Sequence, residues 1–509
     1  MGENHQLAKN SVFNLASFLI NLFISFFFTP YLIKEVGKES YSFFPLVNNI
    51  INYSTIITTA VGGMAGRFVT LKLYQHDMNG VNYYYNSVLL ANWILSIFFT
   101  ILSCICIVYL PEILTIPKTM VTEVKVLFLF ACASMIIGLA TNILGLGTFI
   151  KNRLDISASR TVIANLFRVG MILLLFSCFK PSIVYMSVSA FGAAVLTAFY
   201  NMIFKKKLLP EVPINVIKYF KWSYLKELIS SSIWSSVNQL GMILVTQLDL
   251  LITNIFIGVS ATGDYSIAKT VPSLLISLIA TLSGVFVPSF NIHYAKGEKK
   301  ILLQEVTKSI KLMGILSSIP IGFLLVYGVA FFNLWTPGQN AQIISWLSTL
   351  SLIPLIINGA INPLFHIYAV VNKVKIPSIT FVGFGLLQTG IIFILLKTTN
   401  LGLWTIPIVS LAINIIKFLT FVPMYAAYCL NKPLFIFHKS ILNAIYSCIL
   451  TVVIGFIFIH IVPTNTWLYF ILNGIIVCGI SFTISTYSYM NKNEREYIFC
   501  KIKVIKKHE

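Results

Sequence analysis

Residues 11–33 read SVFNLASFLINLFISFFFTPYLI, a stretch without one charged side chain. A helix rises 1.5 Å per residue, so about 20 apolar residues cross a hydrocarbon core of about 30 Å. The run is too long for the apolar part of a secretory signal and lacks an obvious small-residue cleavage site. It is therefore expected to stay as a membrane helix. Working outward, the same pattern recurs along the chain. Further apolar runs lie near residues 42–66, 84–110, 123–150, 160–179, 182–204 and 229–257. Others follow near 265–290, 312–335, 341–369, 377–396, 400–428, 440–462 and 466–489. The composition agrees, with 57% hydrophobic and 10% charged residues and a mean hydropathy of +0.86. No soluble fold needs about fourteen such runs, so the expected class is an all-α polytopic membrane protein with about fourteen transmembrane helices. Pro320, Pro354 and Pro407 fall inside runs and predict kinks there.

The chain carries 36 Lys and Arg against 16 Asp and Glu, a net charge of +20. With the N-terminus placed in the cytoplasm, 27 of the cations fall on the cytoplasmic side. Only Lys34, Lys38, Lys118, Lys125, Lys180 and Lys397 fall on the other side, and Arg168, Lys269 and Lys417 fall within runs. This bias predicts that both termini are cytoplasmic. It also accounts for the positive charge without nucleic acid, which is not an expected partner. The basic clusters at 205–226 and 501–507 instead suit anionic membrane lipids. The eight Cys lie in runs or on the cytoplasmic side, so no structural disulfide is expected.

The chain also repeats weakly. KEVGKESY at residues 34–41 and IGVSATGDY at 257–265 both read glycine, short polar turn, tyrosine, and aligning the tyrosines gives an offset of 224 residues. Each repeat holds six runs, an even number that preserves topology, so the two are expected as parallel lobes related by a pseudo-twofold. The expected organisation is an N-lobe at 1–204, a basic cytoplasmic linker at 205–228 and a C-lobe at 229–428. An added helix pair with a basic tail occupies 429–509. Part of the linker is a candidate surface helix. Two six-helix lobes make a transporter architecture with alternating access.

The opening LAKNSVFNLASFLINLFISFFFTPYLIKEVGKESYSFFPLV, residues 7–47, resembles the start of bacterial polysaccharide flippases. These have Asn-Ser before the first helix and then TPYLI, Gly and Tyr. The segment QLDLLITNIFIGVSATGDYSIAKTV, residues 247–271, is similar to the same family's pattern of Asp, apolar stretch, Gly, Tyr and Ala. Ser42 departs from the Gly that many members have after the first Tyr. The family lies in the multidrug/oligosaccharidyl-lipid/polysaccharide superfamily, with twelve or fourteen helices in two lobes. The resemblance implies translocation of undecaprenyl-pyrophosphate-linked oligosaccharide across the bacterial inner membrane for O-antigen, capsule or exopolysaccharide synthesis. Polysaccharide polymerase machinery is a further implied partner.

Charges at bilayer depth are the bottom-up counterpart of that implication, because each costs about 2.5–3.5 kcal/mol on insertion scales. Arg168, Lys269 and Lys417 form a cationic set that suits a diphosphate and not a cationic drug. Asp249 is a candidate ion-pair or coupling carboxylate, with Lys269 as its candidate pair. Arg67, Arg153 and Arg160 are candidates for receiving the headgroup at the cytoplasmic entry. Amides and aromatics such as Asn48, Asn49, Tyr53 and Gln239 are candidates for the sugar. No nucleotide-binding Gly-rich loop, no catalytic constellation and no metal-ligand spacing appears, so neither enzyme activity nor a cofactor or metal is expected. Rival readings are a lipid II flippase, a cation-coupled multidrug antiporter, and a polysaccharide polymerase or ligase.

Overall fold

The structure is a computed structural model and describes residues 3–490. Cys500 and the basic tail after residue 490 lie outside the described residues. Among the described residues, fourteen helices are long and apolar enough to cross a membrane. We number them α1 (Glu3–Val36), α2 (Lys38–Tyr74), α3 (Met78–Val108), α4 (Lys118–Ile150), α5 (Leu154–Cys178), α6 (Val184–Leu208) and α7 (Trp222–Thr246, continued by Leu248–Phe256). The second set is α8 (Val259–Ala295), α9 (Lys299–Trp335), α10 (Ala341–Val370), α11 (Lys375–Thr398), α12 (Gly402–Cys429), α13 (His438–Ile459) and α14 (Trp467–Tyr489). Side-chain caps fix several starts: Gly80 N–H donates to Asp77 at α3, and Ile343 N–H to Asn340 at α10.

The backbone repeats at 220–221 residues, three to four fewer than the tyrosine alignment indicates. The repeat is carried by left-handed positions, which the chain needs at sharp helix ends. Gly37 (φ 81°) precedes α2 and Gly258 (φ 119°) precedes α8. His76 (φ 56°) precedes α3 and Gly297 (φ 72°) precedes α9. Asn152 (φ 52°) precedes α5 and Asn372 (φ 56°) precedes α11. Helices α2 and α8 each span 37 residues. Both are interrupted late, at Gly63–Met64 and at Val285–Phe286. Tyr41 therefore corresponds to Thr262 and not to Tyr265.

Packing divides the chain into two compact units. Of the described residues, the first holds 3–263 together with 378–386, and the second holds 264–377 and 387–490. The first unit therefore takes in α7 and the early part of α11. Helix α7 lies against α2, where Gln239 Nε2 donates to Thr55 Oγ1 at 3.0 Å and Asn49 Nδ2 donates to the Gln247 carbonyl at 3.3 Å. Glycine lets α11 approach α7 closely: a Cβ at Gly241 would sit 2.8 Å from the Phe381 backbone.

In the second unit α9 and α10 form the centre, with 61% and 67% of their most apolar windows buried. Helices α13 and α14 dock on α9. A Cβ at Gly322 would lie 2.9 Å from the Cys448 carbonyl, so only glycine permits that approach. The seven described cysteines are free.

The polar connection between α6 and α7 is shorter than 205–228, because α6 runs to Leu208 and α7 starts at Trp222. Its only helical piece is the single turn Val216–Tyr219.

Candidate functional site

Helices α1 and α5 are among the least buried, each with only 11% of its apolar window enclosed. Helix α1 carries two faces of different kind. Leu15, Leu19, Phe23 and Phe27 form an exposed apolar stripe on α1, suited to lipid. Asn10, Asn14, Ser17 and Asn21 recur at spacings of four, three and four, which stacks them on another face. A polar stripe of this kind is placed against a partner helix or water. Here it meets α5.

At the start of α5 the stripe meets a buried carboxylate. Asp155 accepts from Arg153 Nε at 3.0 Å and Nη2 at 3.2 Å, from Lys9 Nζ at 3.2 Å and from Gln6 Nε2 at 3.1 Å. Its own N–H donates to Asn10 Oδ1 at 3.0 Å, and Asn10 Nδ2 donates to the Asn152 carbonyl at 3.0 Å. The Asp155 side chain is 5% exposed, whereas Lys9 and Arg153 are 34% and 40% exposed. Two cations thus share one enclosed anion and keep an open side. Five residues further along α5, Arg160 donates to Asn201 on α6 and to Ser157 Oγ at 3.2 Å. Beyond it Asn165 donates to Asn21, joining α5 to α1.

Arg168 lies one turn past that bond and is half-buried. Because α5 begins at Leu154 and not near residue 160, Arg168 stands fourteen residues into the helix, about 21 Å along it. It is at the centre of the helix.

Lys417 occupies the corresponding depth of α12, about 22 Å from its start. It is 5% exposed and donates to Asn414 Oδ1 at 2.7 Å, with its Nζ 4.5 Å from the Phe418 ring centroid. The helix breaks three residues later at Thr420 (φ −104°, ψ −78°). Pro423 brings no N–H to the Leu419 carbonyl four residues before it, and His438 of α13 supplies the missing donor from Nε2 at 2.8 Å. A buried cation beside an interrupted helix and an ordered carbonyl is a feature of a functional position in a membrane helix.

Lys269, Asp249 and Arg67 lie on α8, α7 and α2. Lys269 is half-buried, with its Nζ 5.3 Å from the Tyr265 ring centroid in the second unit. Asp249, 2% exposed, lies in the first unit just after the α7 break at Gln247. Arg67 is exposed on the last part of α2. Asn49 and Gln239, read above as sugar ligands, hydrogen-bond between α2 and α7 and hold these helices together. Sequence reasoning missed Asp155, Asn21, Asn165 and Asn414. The spacing of the α1 asparagines was the available signal.

Comparison with known proteins bears on what this arrangement serves. A relative described as the uncharacterized membrane protein EpsK of Bacillus subtilis (strain 168) is 28% identical over 488 residues, covering 95% of this chain and 96% of its own. Among solved structures, the lipid II flippase MurJ in an inward closed conformation superposes with a TM-score of 0.68, at 16% identity, over 95% of this chain and 99% of that one. An outward-facing multidrug resistance transporter of the MATE family, MOP superfamily, gives a TM-score of 0.62 at 16% identity, over 84% of this chain and 95% of that one. At such identities the likeness is one of fold. The family described as polysaccharide biosynthesis protein matches residues 7–291, more than half of the sequence. With fourteen described helices long and apolar enough to cross a membrane and a fold like that of the MurJ and MATE structures, the chain belongs to the polysaccharide biosynthesis protein family.

Proposed function

We propose that the protein is a flippase that carries undecaprenyl-pyrophosphate-linked oligosaccharide repeat units across the bacterial cytoplasmic membrane by alternating access. The product would supply O-antigen, capsule or exopolysaccharide synthesis and pass to polymerase machinery. The observation that carries this reading is a cation at mid-helix depth in each unit: Arg168 in α5 and Lys417 in α12. A diphosphate headgroup brings about two negative charges into a low-dielectric space, where hydrogen bonds from charged donors contribute about 1.5–3 kcal/mol each. Arg168 offers a planar fork for two oxygens and Lys417 a point charge. On entry, the open sides of Lys9 and Arg153 would meet the headgroup first. Anionic lipids would gather at the same basic face.

The proposed orientation has both termini in the cytoplasm, supported by the distribution of Lys and Arg between alternate loops. A lipid II flippase would use the same diphosphate chemistry, so the sugar decides between the two. A multidrug antiporter for cationic drugs is disfavoured by cations at the two deepest charged positions.

The test is complementation of polysaccharide export in a flippase-deficient strain, with the membrane level of the protein measured alongside. Restored export with loss on Arg168→Ala or Lys417→Ala at normal protein level is expected. No export from well-inserted wild-type protein, with rescue of a lipid II flippase deficiency instead, would overturn the substrate.

A further inference from the structure

The sixth helix of each repeat is followed by a connector that is firmly anchored yet presents an apolar tip. In the first connector, 209–221, Leu209 and Val212 are fully buried in the core of the first unit. Lys205 Nζ donates to the Val212 carbonyl at 2.6 Å. Asn86 on α3 clasps the strand from both sides: its Nδ2 donates to the Pro213 carbonyl at 3.1 Å, and Asn215 N–H donates to its Oδ1 at 2.9 Å. Lys221 N–H donates to Ser87 Oγ at 3.1 Å. A segment held by this many bonds is not a loose tether.

Despite that order, Ile217 is 95% exposed, and Trp222 and Ile214 are 62% and 48% exposed. Exposed lysines flank them at 206, 207 and 218. Phe435, which follows Ile214 by 221 residues, is the repeat counterpart and is 65% exposed beside Leu434 at 48%. That second connector is anchored by fully buried Phe437, and Lys432 and Lys439 flank it. The two connectors share neither length nor sequence, yet the same combination occurs at the same repeat position.

Isolated exposed apolar side chains are ordinary, but a rigid apolar tip ringed by lysine at the end of a spanning helix matches the headgroup boundary of a bilayer. Tryptophan at such a helix start belongs to the same zone.

We propose that both connectors are interfacial feet. Ile214, Ile217 and Trp222 of the first, and Leu434 and Phe435 of the second, insert at the headgroup–acyl boundary, while the flanking lysines pair with anionic phospholipid. Their location in the cytoplasmic leaflet rests on the orientation proposed above. The insertion itself does not.

The experiment uses full-length protein in a cysteine-free background, reconstituted in phosphatidylglycerol-containing or purely phosphatidylcholine vesicles. Ile217→Cys and Phe435→Cys carry an environment-sensitive fluorophore, and Lys300→Cys is the exposed control. Quenching by lipids spin-labelled near the headgroup should exceed quenching by deep-labelled lipids at least two-fold at both feet, and aqueous iodide should dominate at the control. Replacing Lys206, Lys207 and Lys218 by Gln should reduce lipid quenching at 217 about two-fold in phosphatidylglycerol vesicles and leave it unchanged in phosphatidylcholine. Iodide quenching at 217 and 435 equal to that of the control would overturn the proposal. So would water exposure in vesicles of the purified protein combined with protection in native membranes, which would indicate a protein partner. Equal lipid quenching in both lysine backgrounds would overturn the headgroup pairing. An impermeant thiol reagent reads the side of the membrane separately, so a reversed orientation would be distinguished from failed insertion.

Discussion

Asn21 and Asn165 hydrogen-bond across α1 and α5 one turn before Arg168. The pair holds the two lightly buried helices together at the depth where the arginine projects. An interhelical amide bond in a membrane contributes about 1–2 kcal/mol at most, so its main effect here is positional. Arg168→Ala should abolish or strongly reduce export at unchanged membrane level. Arg168→Lys should retain less than half of the activity, because a point charge replaces the fork. Asn165→Leu should reduce export less than Arg168→Ala. Full export by Arg168→Ala, measured with protein level in the complementation assay, would remove the arginine from the site.

Lys417 and His438 are coupled through the break in α12. The histidine satisfies the Leu419 carbonyl that Pro423 leaves open, and so fixes the segment that follows the lysine. Lys417→Ala and Lys417→Glu should impair export, with Lys417→Arg retaining more activity. His438→Phe leaves a buried carbonyl unsatisfied, at a cost of about 1–3 kcal/mol. Its melting temperature in detergent should fall, and its export should fall with it. If Lys417→Ala removes the protein from the membrane, the lysine is a structural brace.

The spans were legible because each is a local property: twenty apolar residues in a row need no partner to be recognised. The repeat was legible in outline, but its register was not. Tyrosines 224 residues apart drew the alignment, whereas the backbone repeats at left-handed residues such as Gly37 and Gly258, whose φ no sequence displays. Arg168 stands further along its helix than the apolar run alone indicated, because α5 extends through the polar stretch LDISASR, which hydropathy reads as loop. Asp155 was overlooked for the same reason: its partners Lys9 and Gln6 are nearly 150 residues away in sequence. Asn49 and Gln239 had the right chemistry for sugar, but only the packing of α2 on α7 reveals that they bind one another's helices.

Topology follows from charge and is testable alone. Reporter fusions at Lys206 and Lys299 should read cytoplasmic, and one near Gly338 external. The reversed pattern would remove the proposed orientation, and with it the entry role of Lys9 and Arg153.

The seven described cysteines should also be free in the native protein. Mass spectrometry after alkylation without reduction should find every one of them modified once the protein is unfolded. A bridged pair would contradict the free state of these seven thiols.

The close approach of α13 to α9 gives the last prediction. Gly322 faces the Cys448 carbonyl and Thr451, where an added Cβ would come within 2.9 Å of both. The obstacle on one side is backbone, which cannot rotate away as a long side chain does. Gly322→Val should therefore push α13 outward or strain the helix, at a cost of about 1–3 kcal/mol. Gly474, whose Cβ would meet only the Phe323 ring at 3.5 Å, is the control, and Gly474→Ala should be near neutral. The comparison is made by thermal unfolding of both purified variants in detergent. A lowered midpoint for Gly322→Val, with Gly474→Ala at the wild-type value, is the expected result. If Gly322→Val melts with the wild type, α13 is not packed on α9 at the distance described, and the second unit has no continuous core through α9, α10 and α13.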